Sequence, residues 1–312
     1  MQTFEHHIAV VTGGGSGIGR ELVRQLAAAG CHVALCDISE PDMAATVDLC
    51  RQAMDNGVRV TAHRCDVASE DELKRFQREV AEQHRTAHIH LLFNNAGVSG
   101  GQSFVNDDRA LWDRVFGICW GGVYLGCRVF MPMLLASPEG HIINTSSING
   151  FWACMGAGVE HTAYSAAKFA VKGFSEALVV DLRKNAPHIK VSVVMPGHIG
   201  TSIALNSHKL WLGGAEHMNA DQMAKVRERW GAFVPDIDKL PDDALRAMLK
   251  KGGEDFRDQA PTTAAQAATA ILDGVRAQQW RILVGEDAVR LDEAVRGHPE
   301  KAYDIGAIEL RA

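Results

Sequence analysis

The chain has 312 residues, 46% hydrophobic and 22% charged, which is a globular composition with enough apolar residues for a large core. Its formal net charge is −6 and it carries no long basic run, which argues against nucleic-acid binding through phosphates. No apolar run reads as membrane-spanning and Met1 to Val10 does not read as a signal peptide, so a cytoplasmic protein without a membrane partner is expected.

The first predicted strand is Ile8–Thr12. It runs straight into Thr12-Gly-Gly-Gly-Ser-Gly-Ile-Gly19, and a helix follows from Arg20. Strand, glycine turn and helix together form a phosphate-binding arrangement, because backbone N–H groups meet a pyrophosphate at the positive end of the helix. Arg20 follows the last glycine where a Walker A loop needs lysine, and the spacing Gly13-x-x-x-Gly17-x-Gly19 differs from Gly-x-Gly-x-x-Gly. The second strand, His32–Cys36, ends at Asp37. An acidic residue there can hold both adenosine ribose hydroxyls and repels a 2′-phosphate. Ser16 and Ile38 supply no basic group, which favours NAD over NADP, and Arg20 is expected to point along its helix.

Further strands are predicted at Arg59–Cys65, Ile89–Phe93, His141–Thr145, Lys190–Met195 and Arg281–Val284. Helical patterns lie near 17–30, 41–56, 70–84, 107–135, 163–186 and 262–277. This alternation is the signature of an α/β fold with a doubly wound parallel sheet, read here as one domain over 1–312. Cys65-Asp66-Val67 and Asn94-Asn95-Ala96-Gly97 fall at strand C-termini, where open parallel sheets bind ligands. The seven cysteines include no Cys-x-x-Cys and sit mostly in apolar segments, so reduced, buried thiols are expected rather than disulfides or a zinc site.

Tyr164 and Lys168, four apart in Tyr164-Ser-Ala-Ala-Lys168, share one helix face. An ammonium there is expected to lower the phenol's pKa from about 10 and to make it a proton donor and acceptor near neutrality. Ser146-Ser147 lies upstream. After Pro196-Gly197 no strand is expected until Arg281. The excursion over 198–262 has two readings, a surface helical insertion or a lid over the substrate. In the second, Trp211, Leu212, Trp230 and Phe233 cover an apolar ligand while Gly213-Gly214 and Gly252-Gly253 act as hinges.

Taken together, Thr12–Gly19, Asp66-Val67, Asn94–Gly97, Ser147, Tyr164–Lys168 and Pro196-Gly-His-Ile-Gly-Thr201 closely resemble the short-chain dehydrogenase/reductase family. The resemblance implies a Rossmann-type sheet of seven strands, a nicotinamide cofactor, and hydride transfer to or from a carbinol carbon. By that likeness Gly13, Ser16, Gly17, Ile18 and Gly19 hold the pyrophosphate. Asp66 and Val67 contact adenine, and Asn95, Ala96 and Gly97 line the adenosine ribose side. Lys168 holds the nicotinamide ribose, while Pro196, Gly197, Ile199 and Thr201 flank the amide. Tyr164 is then the acid/base and Ser147, or else Ser146, binds the substrate oxygen. A homodimer or homotetramer is implied as well.

Two departures from the family stand out. Cys119 occupies the place of a helical asparagine that helps hold a lysine-linked water, although a backbone carbonyl there could still serve. Ser147 and Tyr164 are also further apart than is usual, around an apolar loop holding Phe151, Trp152 and Met155. His161 and His198 lie near the site by sequence, either as a second proton relay or as hydrogen-bonded loop histidines. The apolar loop suggests a bulky apolar alcohol or ketone substrate, steroid-like or aromatic. A 3-oxoacyl-thioester reductase, a nucleotide-sugar epimerase and a catalytically weak NAD-binding regulatory protein are the rival readings.

Overall fold

In chain order the elements run β1 (Ile8–Thr12), α1 (Gly17–Ala28), β2 (His32–Asp37), α2 (Glu40–Ala53), β3 (Val60–Arg64), α3 (Glu70–His84) and β4 (Leu91–Asn94). Then come α4 (Arg109–Phe116), a π-helical turn (Gly117–Gly121), α5 (Gly122–Leu135), β5 (Gly140–Thr145), α6 (Thr162–Asn185) and β6 (Ile189–Pro196). The remainder is β7 (Ile199–Gly200), α7 (Ile203–Leu212), α8 (Ala220–Trp230), α9 (Asp242–Asp258), β8 (Thr262–Thr263), α10 (Ala264–Arg276), β9 (Arg281–Val284) and α11 (Glu286–Gly297). This computed structural model describes residues 3–53, 57–101, 103–154, 160–231, 234 and 236–304.

The main sheet has the order β3-β2-β1-β4-β5-β6-β9, and every pairing is parallel. The chain winds outward from β1 to β3, then returns to place β4 on the other side of β1. That reversal opens a crevice between the C-terminal ends of β1 and β4, where such sheets bind ligands. The central strands are buried on both faces, as the nearly continuous apolar runs of β1 and β4 require. One face packs Leu22 and Leu26 of α1, Met43 of α2 and Ile271 of α10. The other packs Phe76 of α3, Phe130 of α5 and Val171 of α6. Local chemistry starts the helices: the Ser69 side chain accepts the N–H of Glu72 at α3, and Thr263 with Gln266 forms a capping box at α10.

Three expectations are corrected. A short parallel pair lies between Gly197 and Arg281, where none was expected: Ile199 pairs with Thr262 and Gly200 with Thr263. Two-residue strands carry no periodicity, yet this pair staples the two ends of the excursion together. Gly252 and Gly253 are not hinges, because both lie inside α9. At Gly253 an added Cβ would sit 2.6 Å from Leu205 Cδ2, so this glycine lets α7 and α9 approach closely. Finally, Arg109–Leu135 forms a helical stretch long and apolar enough to cross a bilayer, contrary to the sequence reading. It is instead largely buried between the sheet and its neighbouring helices, as a core helix is.

Candidate active site

The crevice is built by two turns tied to one hydroxyl. Thr12 Oγ1, at the end of β1, accepts the backbone N–H groups of Asn95 and Ala96, each at 3.0 Å. Asn95 Nδ2 donates back to the Thr12 carbonyl at 3.0 Å. The β4 turn with Asn95, Ala96 and Gly97 is thereby locked to the glycine turn. An added Cβ at Gly13 would lie 2.8 Å from Ala96 Cα, so the two backbones are in contact. Ser16 caps α1 without a side-chain cap bond, which leaves the first N–H groups of the helix for an anion. Ile18 packs on the core beneath.

Asp37 ends β2 with its carboxylate pinned: Oδ2 accepts the Gly15 N–H at 3.1 Å and Oδ1 the Ser39 N–H at 3.2 Å. Arg20 does not point along its helix as expected. It folds across to the Gly15 carbonyl and to Thr46 Oγ1, with Asp42 3.8 Å away. Its charge is thus engaged by α2. Asp66 Oδ1 accepts the Ala68 N–H, and Oδ2 pairs with Arg114 of α4, a partner that no sequence pattern marked. Val67 is buried against Gly122 of α5.

The reactive side lies across the crevice. Lys168, 2% exposed, donates from Nζ to the Thr145 carbonyl at 2.8 Å and stands 5.3 Å from the Tyr164 ring centroid. The Ser147 hydroxyl, which accepts the Asn149 N–H at 3.2 Å, lies near enough to the Tyr164 phenol to draw its pKa down. The two upstream serines divide by geometry: Ser146 Oγ donates to the Lys168 carbonyl at 2.7 Å and braces β5 against α6, whereas Ser147 faces the phenol. The expected lowering of the phenol pKa is corrected here. Burial pushes Tyr164 up, more strongly than the Ser147 hydroxyl pulls it down. Burial likewise lowers Lys168. Helical spacing places the pair on one face, but low-dielectric surroundings penalise the charged form of each.

Cys119 lies in the π-helical turn, where its thiol donates to the Val98 carbonyl at 3.3 Å. Burial raises its pKa, so it stays a neutral thiol beside Lys168. Cys119→Asn is expected to change turnover by less than about tenfold, or 1.4 kcal/mol of barrier. Steady-state kinetics checks this, and a gain of several hundredfold would instead mark the natural chain as a weakened enzyme.

The third wall is the turn after β6. Gly197 N–H donates to the Val284 carbonyl at 2.9 Å, and His198 N–H to Asp287 Oδ2 at 2.6 Å. The His198 ring bonds the Phe256 carbonyl on α9 at 2.7 Å, which makes it a loop-holding histidine. Ile199 is buried, and the Thr201 side chain abuts Gly17, so this turn closes over the glycine loop. Helix α7 follows across the mouth, with Asn206 Nδ2 3.4 Å from Ser16 Oγ, Ser207 Oγ accepting the Ser99 N–H at 2.8 Å, and Trp211 Nε1 donating to the Ser99 carbonyl at 2.7 Å.

The substrate-side aromatics need revision. Leu212 and Trp230 pack into a small core of the excursion with Met223, Ile237 and Leu245 rather than toward a ligand. Trp152 is 2% exposed and donates to the Ala302 carbonyl, so it anchors its loop to the C-terminal segment. Met155 and Phe233 lie outside the described residues. Among the described residues, Trp211 shares an apolar cluster with Trp112, Phe116, Trp120 and Tyr164.

A family model described as short chain dehydrogenase matches residues 7–209. The chain belongs to the short-chain dehydrogenase family. A Mycobacterium tuberculosis protein named "Putative oxidoreductase SadH" is 37% identical over 207 residues, 66% of this chain and 72% of its own length. Mouse epidermal retinol dehydrogenase 2 is 30% identical over 63% of this chain and 61% of its own. A Burkholderia phymatum short-chain dehydrogenase/reductase solved with NAD is 26% identical, with a TM-score of 0.75 over the full length of both chains. A metagenomic short-chain oxidoreductase solved with NADP is 30% identical, with a TM-score of 0.55 over 62% of this chain and 84% of its own. This short-chain dehydrogenase is accordingly an oxidoreductase of CH–OH groups in small molecules and uses a nicotinamide cofactor. Its residues fit that cofactor: the crowded glycine turn leaves no room for a Cβ, and the uncapped start of α1 lies beside the pinned Asp37.

Proposed function

We propose that this short-chain dehydrogenase uses NAD to interconvert a bulky apolar secondary alcohol, steroid-like or aromatic, and its ketone, with Tyr164 as acid/base. The observation that carries the reading is the grouping of Ser147, Tyr164 and Lys168 at the end of β5, with Lys168 beside Gly97 of the β4 turn. Asp37 holds the adenosine ribose, and Arg20 is engaged elsewhere, which supports NAD. Asp66 and Val67 border the adenine, Asn95 to Gly97 the ribose side, and Pro196, Gly197, Ile199 and Thr201 the amide. The cofactor supplies the hydride acceptor and, when oxidised, a positive charge beside the phenol. Ser147 donates a hydrogen bond to the substrate oxygen as its charge changes. Tyr164 takes the hydroxyl proton in oxidation and returns it in reduction. Bringing a phenol from 10 to 7 requires about 4 kcal/mol. Burial of Tyr164 raises that demand, and Lys168 meets part of it.

The apolar cluster of Trp112, Phe116 and Trp211 and the likeness to a retinol dehydrogenase support an apolar substrate. Turnover over a panel of steroids, aryl carbinols and acyl thioesters, with NAD and with NADP, tests the proposal. The highest efficiency is expected on an apolar carbinol with NAD. Equal or better efficiency with NADP would sink the cofactor assignment. Preference for acyl thioesters would favour the 3-oxoacyl reductase, and NAD binding without any turnover would favour the regulatory protein.

A homodimer or homotetramer is part of the same proposal. Tyr124 and Leu135 on α5 and Phe169 and Val180 on α6 are exposed apolar side chains on two long helices. Sedimentation at micromolar concentration should show an oligomer, and a monomer would refute this.

A further inference from the structure

We infer that His161 is a positioning residue for the catalytic tyrosine, holding the phenol plane so that its hydroxyl stays aimed at the reacting oxygen. The inference rests on the reading of Tyr164 as acid/base. The His161 imidazole lies face to face on the Tyr164 ring, with centroids 4.6 Å apart and planes 15° from parallel. His161 is 3% exposed, so its side of the stack is shielded from water.

The histidine is itself fixed. It is the N-cap of α6, and its carbonyl accepts the N–H of Ser165 at 3.0 Å. The next two residues are tied to the loop at Gly101. Thr162 accepts a hydrogen bond from Trp112 Nε1 at 3.2 Å, and Ala163 N–H donates to the Gly101 carbonyl at 2.9 Å. The i,i+3 offset then carries the imidazole over the phenol.

A phenol has one hydroxyl on a long lever, and tilting the ring moves the oxygen most. Ser147 lies on the hydroxyl side, and Lys168 stands off the ring at 5.3 Å. The imidazole supplies a flat contact against tilt. Proton transfer depends steeply on such placement, since a displacement of about 1 Å can cost a hundredfold in rate. A flat contact of this kind can be made by another aromatic ring. The role assigned to His161 is therefore planar packing, separable from proton chemistry by substitution.

Kinetics of His161→Ala and His161→Phe, with Tyr164→Phe in the same series, test this. His161→Ala should lower kcat by about thirtyfold while the NAD dissociation constant stays within about twofold. His161→Phe should return kcat to within about threefold of the natural chain and preserve its pH profile. A His161→Ala enzyme with more than half the natural kcat overturns the inference. So does a His161→Phe enzyme more than about tenfold impaired, because the imidazole chemistry would then matter. Should the alanine variant fail to fold, the phenylalanine variant decides by that same threshold. Substantial turnover by Tyr164→Phe would remove the acid/base reading itself. An inactive Tyr164→Phe beside a fully active His161→Ala would remove only the present inference.

Discussion

Replacing Tyr164 by phenylalanine lowers turnover by about a thousandfold or more, within the range that a positioned acid/base contributes. NAD binding should survive, because in the proposed arrangement the phenol lies on the reactive side while Asp37 and the glycine turn hold the adenosine half. Lys168→Ala should harm both functions. Its ammonium bonds the Thr145 carbonyl and lies close to the position that a Cβ at Gly97 would take, so in the proposed arrangement it serves cofactor and phenol together. Paired measurements of kcat and of NAD affinity by fluorescence titration separate the two outcomes. If Tyr164→Phe keeps more than a tenth of natural turnover, the acid/base assignment is wrong. The buried setting sharpens this expectation. Enclosure pushes the phenol up, so without help Tyr164 holds its proton at neutral pH. Oxidation should therefore gain rate as pH rises, and reduction should favour the lower end, where the phenol is protonated.

The fold was legible because each of its long elements repeats a pattern. β1 and β4 are nearly continuous apolar runs, and the structure buries both, together with β5, wholly. The Tyr164–Lys168 spacing needed only the helical period to put both side chains in one place. What the sequence hid has no period. β7 and β8 are two residues each, and Asp287 meets His198 across 89 positions. Arg114 reaches Asp66 from another helix, and Arg20 turns to Thr46 for a bond no local rule foretells. Trp152 is as apolar as a substrate-contacting tryptophan would be. Only the position of Ala302, 150 residues on, turns it inward. The direction of the Tyr164 shift was misread because proximity of charge is visible in a sequence and desolvation is not.

Gly19→Ala should cost the chain its cofactor. An added Cβ there would lie 2.0 Å from the Gly13 carbonyl oxygen and 2.7 Å from Asn95 Nδ2. Neither obstacle can swing away. The first is backbone, and the second is held by its bond to the Thr12 carbonyl. The start of α1 must therefore move off β1, and the N–H groups proposed to hold the pyrophosphate move with it. Overpacking of this kind costs about 1–3 kcal/mol or more. At about 1.4 kcal/mol per tenfold, NAD affinity should fall by about ten- to a hundredfold even if the fold survives. Gly252→Ala is the matched control. A Cβ there meets nothing within 4 Å inside α9, and alanine is favoured over glycine in a helix interior. Thermal melts and NAD titrations on both variants decide between a local and a general effect. An unchanged NAD affinity in Gly19→Ala would mean that the close approach of α1 to the glycine turn is dispensable for holding the pyrophosphate, and the site would have to be sought elsewhere along the crevice.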